Sequence, residues 1–405
     1  MLEKYDHRSL GQRLELFHQQ EEAPGMAFWH PNGRLLYRLL EGAARKQVEA
    51  AGYREVSTPQ IMRKSIWERS GHWDHYRDNM FLVSDQACEA AVKPVSCPGH
   101  IQILKAKRLS YRDLPVRLAE FGLVHRDEQK GALHGLLRLR QFTQDDGHIF
   151  CRPDQAQDEV EAFCRSLPPF YRAFGFADLS VAFSTRPDDR AGDDAAWDES
   201  ETALASVLDR LGAPFMVQRG SGAFYGPKLE FILKDRQGRE WQCGTIQFDL
   251  VMPKSFSLEY TDADGERKPL VLLHRALYGS LERFLGILLE HHGPFLPPWL
   301  APVQARVLPV ADRHAERASA LARRLRAEGV RCDVAAADES LGKRIALARH
   351  DAVAFVIAVG DRETAGGPIG LRTRDGQESL SPDEAMAFVK ARCAPPFPGQ
   401  REGGE

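Results

Sequence analysis

Between Arg138 and His148 every second residue is polar or aromatic: Arg138, Arg140, Phe142, Gln144, Asp146 and His148. Successive side chains of a β-strand point to opposite faces, so an extended chain puts all six on one face. At roughly 3.3 Å per residue that face spans about 33 Å, enough for an anion site, an aromatic platform and a metal or small-molecule site in a row. The opposite parity holds Leu137, Leu139 and Thr143, which suits packing. Phe121–Phe150 therefore reads as strand, loop, strand. The first strand leads into Arg126 and Glu128, again of one parity. A solvated surface strand carries charges too, but the apolar opposite parity favours one face packed and one face working.

Around this pair, long helices and strands come in runs. Helices are expected over 6–20, 34–51, 155–175, 193–211 and 276–291, the second ended by Gly52. Strands are expected over 53–57, stopped by Pro59, and over 181–184 and 271–274. Residues 223–233 and 240–251 form a further pair across the DRQG turn at 235–238. Runs without strict βαβ alternation predict an α+β domain on an antiparallel sheet flanked by helices. The Pro-rich stretch GPFLPPWLAP at 293–302 breaks the pattern. Beyond it strands (303–310, 330–335, 352–359, 368–374) alternate with helices (313–328, 341–350, 382–392), a small α/β domain with a partly parallel sheet. The expected domains are thus 1–300 and 301–394, with a disordered tail, PPFPGQREGGE, at 395–405.

The net charge of −3 supplies no global basic field, so a nucleic-acid partner has to be held by local Arg clusters. Seven Cys with no CxxC pair argue against a disulfide framework or a zinc knuckle and fit a reducing compartment. The N-terminus, MLEKYDHRSL, has no apolar signal region, and no apolar run is long enough to span a bilayer. The expectation is a cytoplasmic protein with no membrane partner.

Neither a GxxxxGK[ST] loop nor a GxGxxG after a first strand is present, so phosphate has to be bound by side chains. Arg126, Arg138 and Arg283 are the candidates, because guanidinium groups bind phosphate bidentately and stay charged. Phe142 offers a stacking face for a base, Arg283 a cation to cover its other side, and Glu128 an acceptor for an exocyclic amine. Surface ion pairs account for the same charges equally well. Cys97, at a turn into a helix, with His148 and His274 from strands, makes a three-ligand zinc set with one open position. Their separations carry no spacing signature, and a histidine in a strand is also an ordinary packed residue.

Taken together, the segments EEAPGM (21–26), WHPNG (29–33), SGHWD (70–74), KPVSCPGH (93–100) and SYRDLP (110–115) form a recognisable series. It continues with QFTQDDGHIFC (141–151), STRP (184–187), GAFYGPK (222–228), WQCGT (241–245), LHRA (273–276) and GSLERF (279–284). The chain so resembles the class II aminoacyl-tRNA synthetases, and among them the threonyl-tRNA synthetases, over nearly its whole length. The helix and strand ending at Pro59 resemble motif 1, a dimer-interface element; 121–150 resembles motif 2 and 271–290 motif 3. The resemblance implies a fold of class II catalytic domain plus α/β anticodon-binding domain, and activation of L-threonine with ATP followed by transfer to tRNA-Thr. It implies Arg126 at the α-phosphate and amino-acid carboxylate, Arg138 at the γ-phosphate, and adenine between Phe142 and Arg283 with Glu128 at its amino group. It also implies one Zn2+ on Cys97, His148 and His274, Mg2+ with ATP, and Asp146 at the threonine hydroxyl with Gln144 and Tyr225. Lys228, Gln242, Gln247 and Ser280 would line the pocket, and His72 would serve transfer to the tRNA. Gln242 and Gln247 have opposite parity, so both reach one pocket only through a bulge or a backbone contact. Glu363 and Arg372 match anticodon-reading positions, and a homodimer through motif 1 is implied.

Some residues depart from the family pattern. The chain starts where the family's catalytic domain starts, so the expectation is no editing of serine in cis. Val95-Ser96 stands where the family usually has Met-Asn, and Gln141 where glycine is frequent. Asp338 occupies a position where Asn usually reads a base; a carboxylate cannot donate as an amide does. These departures also suit a specialised paralogue for a biosynthetic pathway or inhibitor resistance, or a non-catalytic tRNA sensor. Intact Arg126, Arg138, Arg283, Cys97, His148 and His274 argue against the sensor.

Overall fold

The computed structural model describes residues 5–84 and 89–397. Two compact units emerge. Among the described residues, one gathers Gln19–Ala27 and Glu41–Ile287; the other gathers 5–18, Phe28–Leu40 and 288–397.

The larger unit is built on an eight-stranded sheet. Its strands are β1 (Arg54–Glu55), β2 (Val116–His125), β3 (Gln141–Cys151), β4 (Leu179–Ser184), β5 (Phe215–Gln218), β6 (Lys228–Lys234), β7 (Glu240–Asp249) and β8 (Val271–Ala276). The spatial order is β5-β4-β6-β7-β8-β3-β2-β1. Every pairing from β4 to β2 is antiparallel; only the edge pairs β5–β4 and β1–β2 are parallel. Helices α1 (Pro31–Ala50), α2 (Cys97–Lys105), α3 (Ala156–Ala173), α4 (Asp194–Leu211) and α5 (Leu281–His292) complete the main elements up to residue 292. This is the antiparallel α+β architecture expected. A second, three-stranded sheet (Ile61–Arg63, Leu82–Ser84, Glu89–Val92) was not foreseen.

Packing explains how the sheet holds its shape. The apolar stripe of α3 buries Phe163, Leu167, Phe170 and Tyr171, and Phe163 meets Phe231 of β6 edge-on. Phe170, Tyr171 and Phe174 form an aromatic cluster with Tyr278 and Phe284, and the Tyr171 hydroxyl donates to the Leu277 carbonyl at 2.6 Å. The turn 277–280 between β8 and α5 is thereby fixed from below.

Two boundaries moved for identifiable reasons. The long polar strand begins at Gln141, not Arg138. Its ladder partner β2 ends at His125, and the Arg140 N–H is taken by the Gly25 carbonyl at 2.7 Å. Arg138 therefore sits in the loop, bridged to His134. The helix expected from 276 starts at Leu281, because the Asp145 carboxylate accepts the N–H groups of Leu277, Tyr278 and Gly279 and holds them in a turn.

In the smaller unit a five-stranded sheet carries β9 (Ala305–Pro309), β10 (Cys332–Val334), β11 (Phe355–Val359), β12 (Ile369–Arg372) and β13 (Gln377–Leu380), in the order β10-β9-β11-β12-β13. The β9 pairings are parallel and those of β12 antiparallel, the mixed α/β arrangement read from the sequence. Helices α6 (Ala315–Ala327), α7 (Leu341–His350) and α8 (Pro382–Cys393) alternate with the strands. Val307, Leu325, Phe355, Leu371 and Val389 share its main core. The helix expected over 6–20 is shorter, His7–Arg13, and is followed by a two-residue strand. Of the tail 395–405, Phe397 is buried against Trp299, and residues 398–405 lie outside the described residues. No described helix is long and apolar enough to cross a membrane.

Candidate active site

The β-ladder brings the polar positions together. His148 on β3 lies directly opposite His274 on β8, and His274 opposite Gln247 on β7. Asp146 lies opposite Glu120 of β2, and Gln144 opposite Gly122. Gly147 has to be glycine: a Cβ there would sit 2.2 Å from the guanidinium carbon of Arg275, which crosses the strand at that point to reach the Asp145 carbonyl.

Cys97 enters this group as the first residue of α2. Its Sγ lies 3.7 Å from His274 Nδ1, and one ligand atom each of Cys97, His148 and His274 fall within 4.8 Å of one another. Tetrahedral coordination at ordinary Zn–N and Zn–S lengths separates such donors by about 3.4–3.6 Å. The His148 and His274 rings stack at 4.6 Å, and His148 Nε2 is buried without a hydrogen-bond partner. A soft thiolate, two imidazoles and an orphaned ring nitrogen fit a divalent metal of the zinc type. Burial pushes the Cys97 thiol above its ordinary value, so an adjoining cation would be needed to hold it as thiolate.

Two further buried atoms on the same strand face have no protein partner: Gln144 Oε1 and Asp146 Oδ2. With His148 Nε2 they make a row of three, each costing about 1–3 kcal/mol if left unsatisfied. Asp146 spends its other oxygen on His274 Nε2 at 2.5 Å. Burial works against the Asp146 carboxylate, but His274 beside it holds it well below the usual range. Close by, the Gln247 amide donates to the Tyr225 hydroxyl, and the Gln242 amide to Thr245 Oγ1 at 2.5 Å. Gln242 and Gln247 do both line the cavity, and the strand does so by an irregularity. Glu230 pairs with Thr245 but Ile232 with Gln242, the register shift that opposite parity required.

Of that row only Gln144 reaches the wall of a cavity of about 350 Å³. Arg126, Glu128, Arg138, Phe142, Gln144, Tyr225, Lys228, Gln242, Gln247, His274, Ser280 and Arg283 line it, whereas Cys97, Asp146 and His148 sit behind its wall. At the open end the groups are paired with each other. Arg138 Nη2 meets Glu128 Oε2 at 2.8 Å. The Arg126 guanidinium lies 5.0 Å over the Phe142 ring, the face the sequence reading gave to a base with Arg283 beyond it. Lys228 pairs with Glu230 at 2.8 Å.

His72 does not line the cavity. It is buried on the short helix His72–Tyr76, with Nδ1 2.9 Å from Ser70 Oγ. Burial, with the Arg126 charge adding to it, pushes His72 down to about 4. In the smaller unit Glu363 accepts from the Gly360 N–H at 2.9 Å, just beyond the end of β11. Arg372 pairs with Val356 near the other end of that strand, so the ladder does not bring Glu363 and Arg372 together. Asp338 is exposed.

Sequence reasoning missed Glu230, a cavity residue, and a buried group behind His148: Lys93, His100 and Glu120. A signal existed for Glu120, a lone carboxylate in the otherwise largely apolar run LAEFGLV at 118–124.

Comparison with known proteins places the chain among families. The family described as tRNA synthetase class II core domain (G, H, P, S and T) matches residues 81–292, and the anticodon binding domain family matches 304–392. The chain is 48% identical over 394 residues to threonine–tRNA ligase of Alkalilimnicola ehrlichii, covering 97% of this chain and 62% of that protein. It is 50% identical over 388 residues to the same-named enzyme of Methylobacillus flagellatus, covering 96% and 61%. The chain thus spans about three fifths of the length of these relatives. Among solved structures, the RNA binding domain of threonyl-tRNA synthetase from Cryptosporidium parvum superposes with a TM-score of 0.90 at 38% identity, covering 98% of this chain and all of that one.

Proposed function

The chain belongs to the threonyl-tRNA synthetase family of class II tRNA synthetases, and on that footing we propose that it activates L-threonine with ATP and transfers it to tRNA-Thr. The observation that carries this reading is the row of buried, unpartnered atoms Gln144 Oε1, Asp146 Oδ2 and His148 Nε2 beside the Cys97–His274 pair. A small ligand with an amino group and a hydroxyl satisfies such a row; an apolar ligand does not.

The residues divide the work as follows. Cys97, His148 and His274 would hold one Zn2+, which would supply Lewis-acid chemistry toward the amino and hydroxyl groups of threonine. Asp146 Oδ2 accepts from the substrate hydroxyl, helped by Gln144 and Tyr225. Valine is nearly isosteric with threonine, but leaves Asp146 unpaired in a buried site. Arg126 turns from the Phe142 ring to the α-phosphate and the amino-acid carboxylate, leaving Phe142 and Arg283 to hold adenine. Arg138 takes the γ-phosphate, Glu128 the adenine amino group, and Mg2+ accompanies ATP. Lys228, Gln242, Gln247 and Ser280 line the remaining walls. The carboxylate oxygen attacks the α-phosphorus, a P–O bond forms, and pyrophosphate leaves with the electrons of the broken P–O bond. Positioning and charge stabilisation suffice for this step. His72, neutral at pH 7, serves the later transfer to the tRNA 3′ end. By function, residues 1–300 are assigned to the catalytic domain and 301–394 to the anticodon-binding domain, a division that differs from that of the two compact units, with Glu363 and Arg372 among the contacts of the second. α1 and the edge strand β1 form a homodimer interface.

Threonine-dependent exchange between ATP and pyrophosphate tests the activation step, with tRNA-Thr charging as the second stage. Exchange with threonine and not valine is the expected result. A folded, zinc-loaded chain without exchange overturns the reading.

A further inference from the structure

Behind the Cys97–His148–His274 group lies a buried chain of polar contacts that the activation chemistry does not use. His148 Nδ1 is 2.9 Å from His100 Nδ1. His100 Nε2 is 3.1 Å from Glu120 Oε2. Glu120 in turn accepts from the Thr58 N–H at 2.8 Å, the Thr58 hydroxyl at 2.9 Å and Lys93 Nζ at 3.0 Å. His100, His148 and Lys93 are fully buried and Glu120 nearly so. The close approach of Thr58 depends on Gly99, where a Cβ would stand 2.7 Å from the Thr58 side chain.

We propose that His100 is a positioning residue for metal binding: oriented by Glu120, it fixes His148 in the tautomer whose bare Nε2 faces Cys97 and His274. The logic is one of donors and acceptors. A carboxylate can only accept, so His100 Nε2 carries the proton and donates to Glu120. His100 Nδ1 is then bare and accepts from His148 Nδ1–H. His148 Nε2 is left with its lone pair, and it is this atom that lacks a protein partner. His274 is served more directly, since its Nε2 faces Asp146 at 2.5 Å and its Nδ1 faces Cys97. Each histidine ligand is thus set by a carboxylate, one by contact and one through a second histidine. Lys93 and Thr58 hold Glu120 in its role: burial alone would raise its pKa, but His100, Thr58 and Lys93 bring it down to about 2.

The inference rests on the zinc reading above, and the test separates the two. Zinc affinity of the full chain is measured by chelator competition in the wild type and in His100→Leu, His100→Gln, Cys97→Ala and the double variant Lys93→Met/Glu120→Gln. Loss of zinc in Cys97→Ala tests the ligand set. His100→Leu lowers affinity by about 10–100-fold. His100→Gln restores most of it, because its amide oxygen accepts from His148 while its amide nitrogen donates to Glu120. The double variant keeps shape and removes the buried charge pair. There the Thr58 N–H keeps the amide oxygen introduced at position 120, the amide nitrogen donates to His100 Nε2, and the proton order reverses. His148 then presents Nε2–H, and affinity falls as for His100→Leu. Nitrogen-15 spectra of the zinc-free wild type read the tautomer itself, whatever the variants do to folding: a proton on His148 Nδ1 is expected. If His100→Leu and the double variant bind zinc within about twofold of the wild type while Cys97→Ala does not, the relay is wrong and the ligand set stands. A proton found on His148 Nε2 also overturns the relay. A wild-type chain that binds no zinc removes both.

Discussion

At the His148 end of β3 the polar groups are buried and committed to neighbours, whereas at the Phe142 end they are open and paired with one another. Asp146 and His148 are 1% and 0% exposed, and each is held by a second residue, His274 and His100. The Arg138 side chain is 57% exposed and rests on Glu128, and Arg126 rests on Phe142. On the proposed function, the difference follows from what each end would have to recognise. Threonine differs from its competitors by one small group, so selection needs desolvated partners already in place, whose loss of a contact is costly. A triphosphate brings its own charge and many acceptors, so exposed guanidinium groups can exchange one carboxylate partner for it at little cost.

The largest effect is expected at the preset end, where the proposal puts the substrate hydroxyl. In Asp146→Asn the amide oxygen stays on His274 Nε2–H, which puts the amide nitrogen where Oδ2 was. An acceptor becomes a donor without a change of shape. Threonine is expected to be preferred over valine by about 10⁴ in the wild type, and by only about 10² in the variant. Pyrophosphate exchange with each amino acid gives the ratio, and zinc content is measured alongside. An unchanged ratio with zinc retained would show that Asp146 does not read the hydroxyl. Serine marks the limit of the same pocket. It keeps the hydroxyl and lacks only a methyl, so adenylate formation should favour threonine over serine by only about 10–200-fold. A ratio near 10⁴ for serine would place selectivity in shape rather than in the polar row.

The two ends also differ in what they contribute to the fold. Glu120 is a buried carboxylate whose folded-state pKa lies near 2, below the ordinary 4.5. Its contribution is therefore complete above about pH 4.5 and lost as pH falls toward 2, an effect on the order of 3 kcal/mol. Urea unfolding of the wild type and of Lys93→Met/Glu120→Gln, followed from pH 5 to pH 3, should show the wild type losing stability relative to the variant. Parallel curves would mean that Glu120 has no favourable charge in the folded state.

The same contrast governs what was legible in the sequence. Parity along 142–148 placed Phe142, Gln144, Asp146 and His148 on one face, because a strand's period is fixed by covalent geometry. Opposite parity of Gln242 and Gln247 announced the irregularity in β7 for the same reason. Where backbone hydrogen bonds end is not a matter of period, so Arg138 and Arg140 share the parity of a strand that begins only at Gln141. The delayed start of α5 depends on Asp145 reaching across from β3, 132 residues earlier than Leu277. His100 and Lys93 stood in a recognised segment without a role, since their role exists only once Glu120 comes alongside in space. The exchange of Arg138 onto Glu128 was equally invisible: single charges read in sequence do not say which partner they choose.

The smallest effect is expected at the open end. Glu128→Ala removes the partner of Arg138, and an exposed pair of this kind is worth about 0–1 kcal/mol, so unfolding should shift by less than that. Binding should respond differently from stability. If Glu128 only parks Arg138, its removal frees the guanidinium and lowers KM for ATP. If Glu128 accepts from the adenine amino group, its removal raises KM for ATP by about tenfold, the cost of one charged hydrogen bond, and narrows the preference for ATP over GTP. The second outcome is the one expected, because a base held by stacking alone would be chosen without regard to its edge. A lowered KM would leave the preset end as the molecule's single point of discrimination, and would make the open end a place where charge alone is recognised.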